Sequence, residues 1–241
     1  MILFVRLQQA SIEHHMPTKR TASAPKPSKP VPPEPKADCT LCPRLVEFRR
    51  DNQIKHPTFF NGAVPSFGDE DAKFLVVGLA PGLKGANQTG RPFTGDYAGD
   101  LLFKCLHTMG WASGTYDKHP GDGFTLSGVM ITNAVRCVPP QNKPIGEEVN
   151  NCRPFLISRM ESLPNLKVLM ALGKIAHDTT IRTFGLRQVD YKFGHEAVHH
   201  LPNGLTLVDS YHCSRYNVNT GVLTEKMFLS ALTRVKQEIS R

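Results

Sequence analysis

FLVVGLAPG, residues 74–82, decides the fold. Its first part, FLVVGLA (74–80), is a short, continuous apolar run that ends at Pro81 and Gly82. A strand with one face in water alternates apolar and polar residues, whereas a strand that is buried on both faces is apolar throughout. The stretch therefore predicts a buried strand of a parallel sheet.

Three more apolar runs follow, and helical patterns separate them. The predicted strands are VMITNAV (129–135), LKVLMAL (166–172) and LTLVDSYH (205–212). The predicted helices cover 96–110, 147–163 with a kink or restart at Pro154, Gly173 to about Phe184, and 224–239. Strand–helix alternation predicts a mostly parallel sheet with helices on both faces. We therefore expect an α/β protein with three α/β/α layers and a central four-stranded sheet.

The beginning of the chain has a different composition. Residues 1–37 are rich in Pro, Lys, Ala and Ser, so they have too little apolar surface to offset their ordering entropy and are predicted to be disordered. Residues 38–241 then form one globular domain. No run approaches the roughly 18 apolar residues of a membrane span, and the first apolar residues stop at Arg6, too early for a signal peptide. We expect no membrane partner and a reducing cytoplasm.

The overall charge is basic. Lys and Arg together number 29, against 21 Asp and Glu, and the sequence pI is about 9.3. A basic excess attracts polyanions, nucleic acid first. From charge alone, a nucleic-acid-binding protein and an ordinary basic protein are equally compatible with the sequence.

Four of the six cysteines form a candidate ligand set, namely Cys39, Cys42, Cys137 and Cys152. The first two make a C-x-x-C motif. Four thiolates suit either a tetrahedral zinc ion or a cubane iron–sulfur cluster, and the spacing alone does not choose between them. The lack of a second C-x-x-C mildly favours a cluster, and four unrelated buried thiols are the remaining alternative.

Two loops follow the first strand. The turn GLAPG (78–82) predicts backbone amides that face outward and suit a phosphate or a planar polar base. The glycine-rich stretch KGANQTGRPFTGD (84–96) carries Phe93, which is either a stacking platform for a base or a buried anchor of the loop. Asp96 precedes a helix, so an N-cap is its first interpretation.

Polar side chains also stand at the ends of two later strands. Asn133 lies among apolar neighbours, and its amide offers both a donor and an acceptor to the edge of a base. His212 opens a polar loop that is able to grip a DNA backbone. The candidate contacts in that loop are Ser214, Arg215, Asn217 and Asn219. Because ligands of parallel sheets bind beyond the carboxyl ends of the strands, the segments after Ala80, Val135 and Tyr211 should converge.

Five motifs occur in one order along the chain. They are CTLC (39–42), GLAPG (78–82), TGRPFTGD (89–96), NAVRCVPPQNKP (133–144) and HCSRYNVNTGVLT (212–224). Together they resemble the uracil-DNA glycosylase superfamily, and within it the bacterial and archaeal family-five branch, often called type B. The resemblance runs from about Cys39 to the C-terminus. Each motif alone is modest evidence, but five in order are specific.

The resemblance implies a [4Fe–4S] cluster on the four cysteines and a base pocket whose wall includes Gly78, Leu79 and Ala80. Members of the superfamily often carry a carboxylate or Asn at the position of Ala80, to position the attacking water. In the type B branch the aspartate of the TGD stretch is thought to take over, and that residue is Asp96 here. The resemblance thus assigns Asp96 a catalytic role in addition to its predicted N-cap.

The same comparison implies the other roles at the pocket. Phe93 stacks on the flipped base, Asn133 reads its edge, and His212 donates to O2 of uracil as charge builds on the leaving base. The wider superfamily commonly has His-Pro-Ser in its last motif, whereas this chain has Cys213 after the histidine. The loss of that proline predicts a looser backbone next to His212.

The expected activity is hydrolysis of the N-glycosidic bond of uracil in DNA, which leaves an abasic site in base-excision repair. The resemblance extends this activity to hypoxanthine and other deaminated bases. DNA that contains these bases is the expected partner, for a monomer at the nucleoid of a bacterial cytoplasm. One alternative is a catalytically weak lesion-binding module on the same fold, motivated by Ala80. Another is a zinc-bound hydrolase or transferase that acts on nucleotides.

Overall fold

The computed structural model describes residues 32–241. Its helices are α1 (Pro43–Lys55), α2 (Ala86–Thr89), α3 (Tyr97–Thr108), α4 (Gly146–Glu161), α5 (Lys174–Thr183), α6 (Arg215–Asn219) and α7 (Glu225–Ile239). Its strands are β1 (Phe67–Gly68), β2 (Phe74–Gly78), β3 (Ala112–Ser113), β4 (Thr125–Leu126), β5 (Val129–Asn133), β6 (Val168–Leu172), β7 (Val198–His200) and β8 (Thr206–Ser210). Two 3-10 turns span Pro140–Asn142 and Gln188–Asp190.

The central sheet contains the four predicted strands. β5, β2, β6 and β8 lie side by side and run parallel, and every residue in them is buried. The sheet is nevertheless six-stranded within residues 32–241, because β1 and β7 add to its edges in the antiparallel sense. These edge strands have two and three residues. They are too short to show the continuous apolar run that predicts a parallel strand.

The two faces of the sheet carry separate hydrophobic cores. On β2, Phe74 and Val76 pack in the core that contains side chains of α3 and α7. Leu75 and Val77 point the other way, into the core that contains Leu156 of α4 and residues of α5. This alternation follows from the period of two along a strand. The predicted three-layer arrangement is therefore confirmed.

Two boundaries differ from the sequence-based expectation. Helix α4 contains Pro154 but is one continuous helix, so the predicted restart is absent from it. The predicted tail, residues 1–37, lies outside the described residues up to residue 31. Its last part belongs to the folded domain, because Glu34 accepts hydrogen bonds from Arg136 at 2.7 Å and Arg159 at 2.6 Å. Both arginines are buried, so this N-terminal strap (residues 33–37) supplies the counter-charge for two internal guanidinium groups.

A small second sheet of β3 and β4 follows α3. The loop between its strands, residues 114–124, reaches back to the glycine-rich stretch before α3 through Tyr116 and Asp122. Across the described part of the chain, none of the helices has the length and apolar character needed to cross a bilayer.

Candidate functional site

A cavity of about 630 Å³ opens at the carboxyl ends of the parallel strands. The segments after β2, β5 and β8 meet there, where side chains of parallel strands and their loops commonly bind ligands. Predicted site residues that line the cavity are Leu79, Ala80, Phe93, Asp96, Asn133, His212, Ser214 and Asn217. The structure thus brings Phe93, Asp96, Asn133 and His212 together. These four side chains come from three separate motifs.

Three predicted site residues do not line the cavity. Gly78 lies behind its wall, while Arg215 and Asn219 are exposed on helix α6. Other lining residues were not predicted, among them Asn142, Lys174, Ile175, Phe193 and Tyr211. Of these, Asn142 has a left-handed backbone at a φ of 57°, and Gln141 before it has 55°. Strained backbone of this kind clusters at functional sites but leaves little trace in a sequence.

Gly78 allows two functional side chains to approach the same point of β2. A Cβ atom at this position would clash with Oδ1 of Asn133 and would lie 2.7 Å from Cζ of Phe93. Real Cβ atoms do not come this close to other heavy atoms, so a larger residue would displace both side chains. Only glycine leaves room for this aromatic–amide wall of the cavity.

Replacement of Gly78 by alanine should therefore destabilise the protein by about 1–3 kcal/mol, the usual cost of overpacking. Chemical denaturation measures this free energy. Gly146→Ala is the matched control, because a Cβ atom there would meet nothing within 4 Å. Equal stability of the two variants would contradict the tight packing around Gly78.

Phe93 is held in an unusual conformation. Its φ of 54° lies in the left-handed region, where a bulky residue is rare, and its side chain is buried. The phenyl ring lies 6.3 Å from the imidazole of His212, measured between centroids, with an angle of 31° between the planes. The ring is a buried anchor, as one interpretation of the sequence has it, and it also forms one wall of the cavity.

Asp96 is both an N-cap and a cavity residue. Its Oδ1 accepts a hydrogen bond from the backbone N–H of Gly99 at 3.2 Å, at the start of α3. Its Oδ2 lies against the glycine turn, where a Cβ atom at Gly85 would clash with it and one at Gly82 would lie 3.3 Å away. Burial raises the pKa of Asp96, although the Gly99 hydrogen bond and the nearby His212 partly oppose the rise.

His212 faces this carboxyl group across the cavity. Burial lowers the pKa of His212, and the negative charge of Asp96 only partly offsets this effect. The imidazole is therefore neutral at neutral pH, able to donate from one ring nitrogen without carrying a charge. A neutral donor beside a carboxylate is suited to a reaction in which a leaving group gains negative charge.

The backbone at His212 has a side-chain hydrogen-bond partner at the point where the missing proline predicts a looser chain. Asn217 donates a hydrogen bond from Nδ2 to the carbonyl of His212 at 2.8 Å. Gly173 packs against the imidazole-bearing residue, since a Cβ atom there would lie 3.3 Å from Cβ of His212. Cys213, which stands in place of the proline, is completely buried in the core. Asn217 thus holds the backbone of His212, and the DNA contact predicted for it stays a prediction.

The rest of the polar loop has divided roles. Ser214 caps α6 by accepting a hydrogen bond from the backbone N–H of Asn217 at 3.3 Å. The Arg215 guanidinium lies over the ring of Tyr97, 5.5 Å from its centroid, and both Arg215 and Asn219 are exposed. These two side chains remain available for the predicted contact with DNA.

The four predicted cysteine ligands line one small apolar cavity of about 20 Å³. Burial raises the pKa of Cys137 to about 12 and that of Cys152 to about 11, and each thiol also feels the charge of the other cysteines. All of them are free thiols. A nearby cation would reverse these pKa shifts, because it stabilises thiolates directly.

The spacing of the sulfurs distinguishes between possible occupants. Among the described residues, no three of these sulfurs lie within 4.8 Å of one another. A zinc ion with Zn–S bonds of about 2.3 Å holds its sulfurs about 3.8 Å apart. The sulfurs are therefore spaced more widely here than around a bound zinc ion. N–H groups of Arg49, Asn151 and Arg136 point at three of the sulfurs, at 3.9, 3.8 and 3.4 Å.

His177, His199 and Asp209 form a separate buried cluster with closely spaced ligand atoms. Asp209 accepts from His177 Nδ1 at 2.8 Å and from His199 Nε2 at 3.0 Å. His177 Nε2 faces the carbonyl of Tyr191 at 2.9 Å. Both nitrogens of His177 meet acceptors, which requires a protonated ring. Burial is the largest single effect and lowers the pKa of His177, but the hydrogen bond and charge of Asp209 and the Tyr191 carbonyl together outweigh it and raise the pKa overall. The cluster is best described as an ion pair that anchors the loop before Phe193.

Comparison with known proteins places the chain in a family. The model of the Uracil DNA glycosylase superfamily matches residues 65–236. A type-5 uracil-DNA glycosylase of Thermus thermophilus is 44% identical over 204 residues, which cover 83% of this chain and 93% of that protein. A type-5 enzyme of Pyrobaculum aerophilum is 37% identical over 201 residues, 82% of this chain and 87% of that protein. As the five motifs predict, the chain belongs to the uracil DNA glycosylase superfamily.

Proposed function

We propose that this protein is a monofunctional uracil-DNA glycosylase of base-excision repair. The observation that carries the proposal is the shared cavity of Phe93, Asp96, Asn133 and His212, in a chain so similar to type-5 uracil-DNA glycosylases. The net charge of +8 favours binding to a DNA backbone. The cavity is far larger than a water site and has the size of a small-ligand pocket.

The first step is extrusion of the target nucleotide, because its N-glycosidic bond is inaccessible inside a duplex. The base enters between the wall of Leu79 and Ala80 and the ring of Phe93, on which it stacks. Asn133 is nearly fully buried and lines the cavity. Its amide offers both a donor and an acceptor, so it can pair with the edge of the base.

The second step is hydrolysis. The bond between C1′ of the sugar and N1 of uracil breaks, its electron pair goes to the base, and a water oxygen bonds to C1′. Asp96 is placed to orient this water, stabilise the cationic sugar and take the proton that the water releases. The neutral imidazole of His212 donates a hydrogen bond to O2 of uracil, where negative charge collects. Ala80 contributes no polar group and leaves space for larger bases, including hypoxanthine.

The four cysteines fit a [4Fe–4S] cluster better than zinc, on the spacing of their sulfurs. Cys39, Cys42, Cys137 and Cys152 would hold it, and it would supply structural cross-linking with no redox step in the reaction. Cys137 follows β5 closely, so the bound group would fix the segment between Asn133 and helix α4. The further proposals are a monomer, and a place of action at bacterial DNA in the cytoplasm.

A panel of DNA duplexes tests the proposed function. Purified protein should convert uracil sites to alkali-labile abasic sites, and normal bases should remain intact; hypoxanthine and xanthine duplexes establish the range. Binding to uracil-containing DNA without abasic products would favour the lesion-binding alternative. A colourless protein with stoichiometric zinc would oppose the proposed cluster.

Asn133→Ala should reduce discrimination between bases. Loss of one or two hydrogen bonds to the base should lower kcat/KM for uracil by roughly 10-fold or more, with a smaller effect on bases of a different edge pattern. Kinetics on the same duplex panel measure the change. Asn219→Ala, on the exposed surface of α6, is the control and should affect all bases equally. An unaltered substrate profile in Asn133→Ala would remove this residue from base recognition.

A further inference from the structure

The loop that carries Phe93 and Asp96 contacts a buried arginine, Arg91. Arg91 is 4% exposed, although it belongs to a motif of a basic protein and would be a natural candidate for a phosphate contact. Its guanidinium forms a bidentate ion pair with Asp122, with N–O distances of 2.8 and 2.7 Å. The same group donates from Nε to Thr94 Oγ1 at 2.8 Å. Its donors therefore point into the protein and not toward DNA.

Aromatic rings enclose the same guanidinium. Its Cζ atom lies 5.0 Å from the centroid of Phe67, 5.8 Å from that of Phe103 and 5.7 Å from that of Tyr116. Cation–π contacts of this kind are strongest where water is excluded. Lysine cannot reproduce either the planar stacking or the two parallel hydrogen bonds.

The partner side is equally well defined. The Asp122 side chain is fully buried and also accepts hydrogen bonds from the backbone N–H groups of Asp117 and Phe124, both at 3.0 Å. The ion pair with Arg91 is the main cause that holds the pKa of Asp122 well below its usual range. The carboxylate thus stays charged and ties the loop of residues 114–124 to the glycine-rich stretch.

A second link joins the two loops beside the reacting groups. The Tyr116 hydroxyl donates to the carbonyl of Phe93 at 3.4 Å and accepts from the backbone N–H of Gly95 at 3.3 Å. These two peptide groups lie on either side of Thr94, between the strained Phe93 and Asp96. The backbone conformation that aims both side chains into the cavity is therefore held from outside the motif.

We propose that Arg91, Asp122 and Tyr116, the arginine clamp, are positioning residues that hold Phe93 and Asp96 in their reactive arrangement. The clamp touches neither DNA nor the base. It keeps the side chains of Phe93 and Asp96 in position opposite His212. A displacement of about 1 Å in such a group can reduce a rate roughly 100-fold. This inference rests on the proposed function.

The test compares two arginines of the same burial. Arg159 is also 4% exposed, and it pairs with Glu34 of the N-terminal strap and with Glu70, away from the cavity. Arg91→Lys and Arg159→Lys should lose similar stability. Only Arg91→Lys should lower kcat for uracil excision, by about 10- to 100-fold. The affinity of this variant for DNA that contains an abasic-site analogue should be unchanged. Tyr116→Phe should also lower kcat, by a smaller factor than Arg91→Lys.

Hydrogen exchange of the amides of Thr94 and Gly95 provides a readout that is independent of catalysis. Both amides should exchange faster in Arg91→Lys than in the wild type or in Arg159→Lys. Asp122→Asn provides the same test if Arg91→Lys does not fold. Unchanged exchange, or equal kcat losses in the two lysine variants, would overturn the clamp. A wild-type protein that excises no base would refute the proposed function, and the exchange experiment would still decide on the clamp.

Discussion

Asp96→Asn should abolish most uracil excision while the protein folds and binds DNA almost normally. Asparagine is as good an N-cap as aspartate, so helix α3 keeps its first hydrogen bond. The variant loses only the negative charge, which the proposed reaction needs for the water and the cationic sugar. We expect kcat to fall by about 100- to 10,000-fold in single-turnover assays.

Two further variants separate chemistry from helix capping. Asp96→Ala should lose the same activity and, in addition, about 1 kcal/mol of stability, because alanine cannot cap. Thr224→Ala removes a remote N-cap, the hydrogen bond from Met227 N–H at the start of α7, and should reduce stability without reducing kcat. Turnover at the wild-type rate in Asp96→Asn would refute the catalytic role.

The same carboxyl group sets the acid limit of the reaction. Burial raises the pKa of Asp96, so its carboxylate is lost at a higher pH than that of an ordinary aspartate as the solution is acidified. Because the pKa of His212 is lowered, its ring stays neutral over the neutral range. Excision should therefore rise with pH through the raised pKa of Asp96. Asp96→Asn should lose this dependence.

Cys137→Ala should have the largest effect on the protein as a whole. Loss of one of the four proposed ligands should remove the visible absorbance and most of the iron of the proposed cluster, and with it the anchoring of the segment after β5. Iron analysis and absorption spectra measure the loss, and thermal denaturation measures the expected drop in stability.

Cys105→Ala is its matched control. Cys105 is fully buried on α3, in the core on the other side of the sheet. Its replacement should cost some packing energy and leave the iron content intact. Full iron in Cys137→Ala would exclude this cysteine from the ligand set, and colour loss in Cys105→Ala would show that iron content follows general stability.

The sequence predicts the parts of this molecule that depend on continuous local patterns. The four parallel strands are visible because burial on both faces makes each an unbroken apolar run, and their order places the ends of β2, β5 and β8 together. The N-cap predicted for Asp96 is confirmed, and the residue also lines the cavity, while its catalytic role stays a prediction. The edge strands were missed because two or three residues carry no period.

Side chains that act through distant partners escape such an analysis. Arg91 and Asp122 are 31 positions apart, and both residue types are usually exposed, so nothing local indicates a buried pair. Asn217 lies in a polar loop for which the sequence predicts a DNA contact, but no local pattern indicates its hydrogen bond to the carbonyl of His212. Phe193 lies in a stretch without apolar periodicity, and it lines the cavity in a loop that contacts the buried His177.

The strap at the N-terminal edge limits how far the chain can be shortened. A protein that starts at Asp38 would retain every motif and all four cysteines, but Glu34 would be missing. Arg136, which is immediately before Cys137, would then lose its ion pair inside the fold, and Arg159 would keep only its ion pair with Glu70. Unpaired internal charges cost several kcal/mol. Residues that contribute nothing to catalysis thus decide whether the shortest recognisable domain is also a stable one.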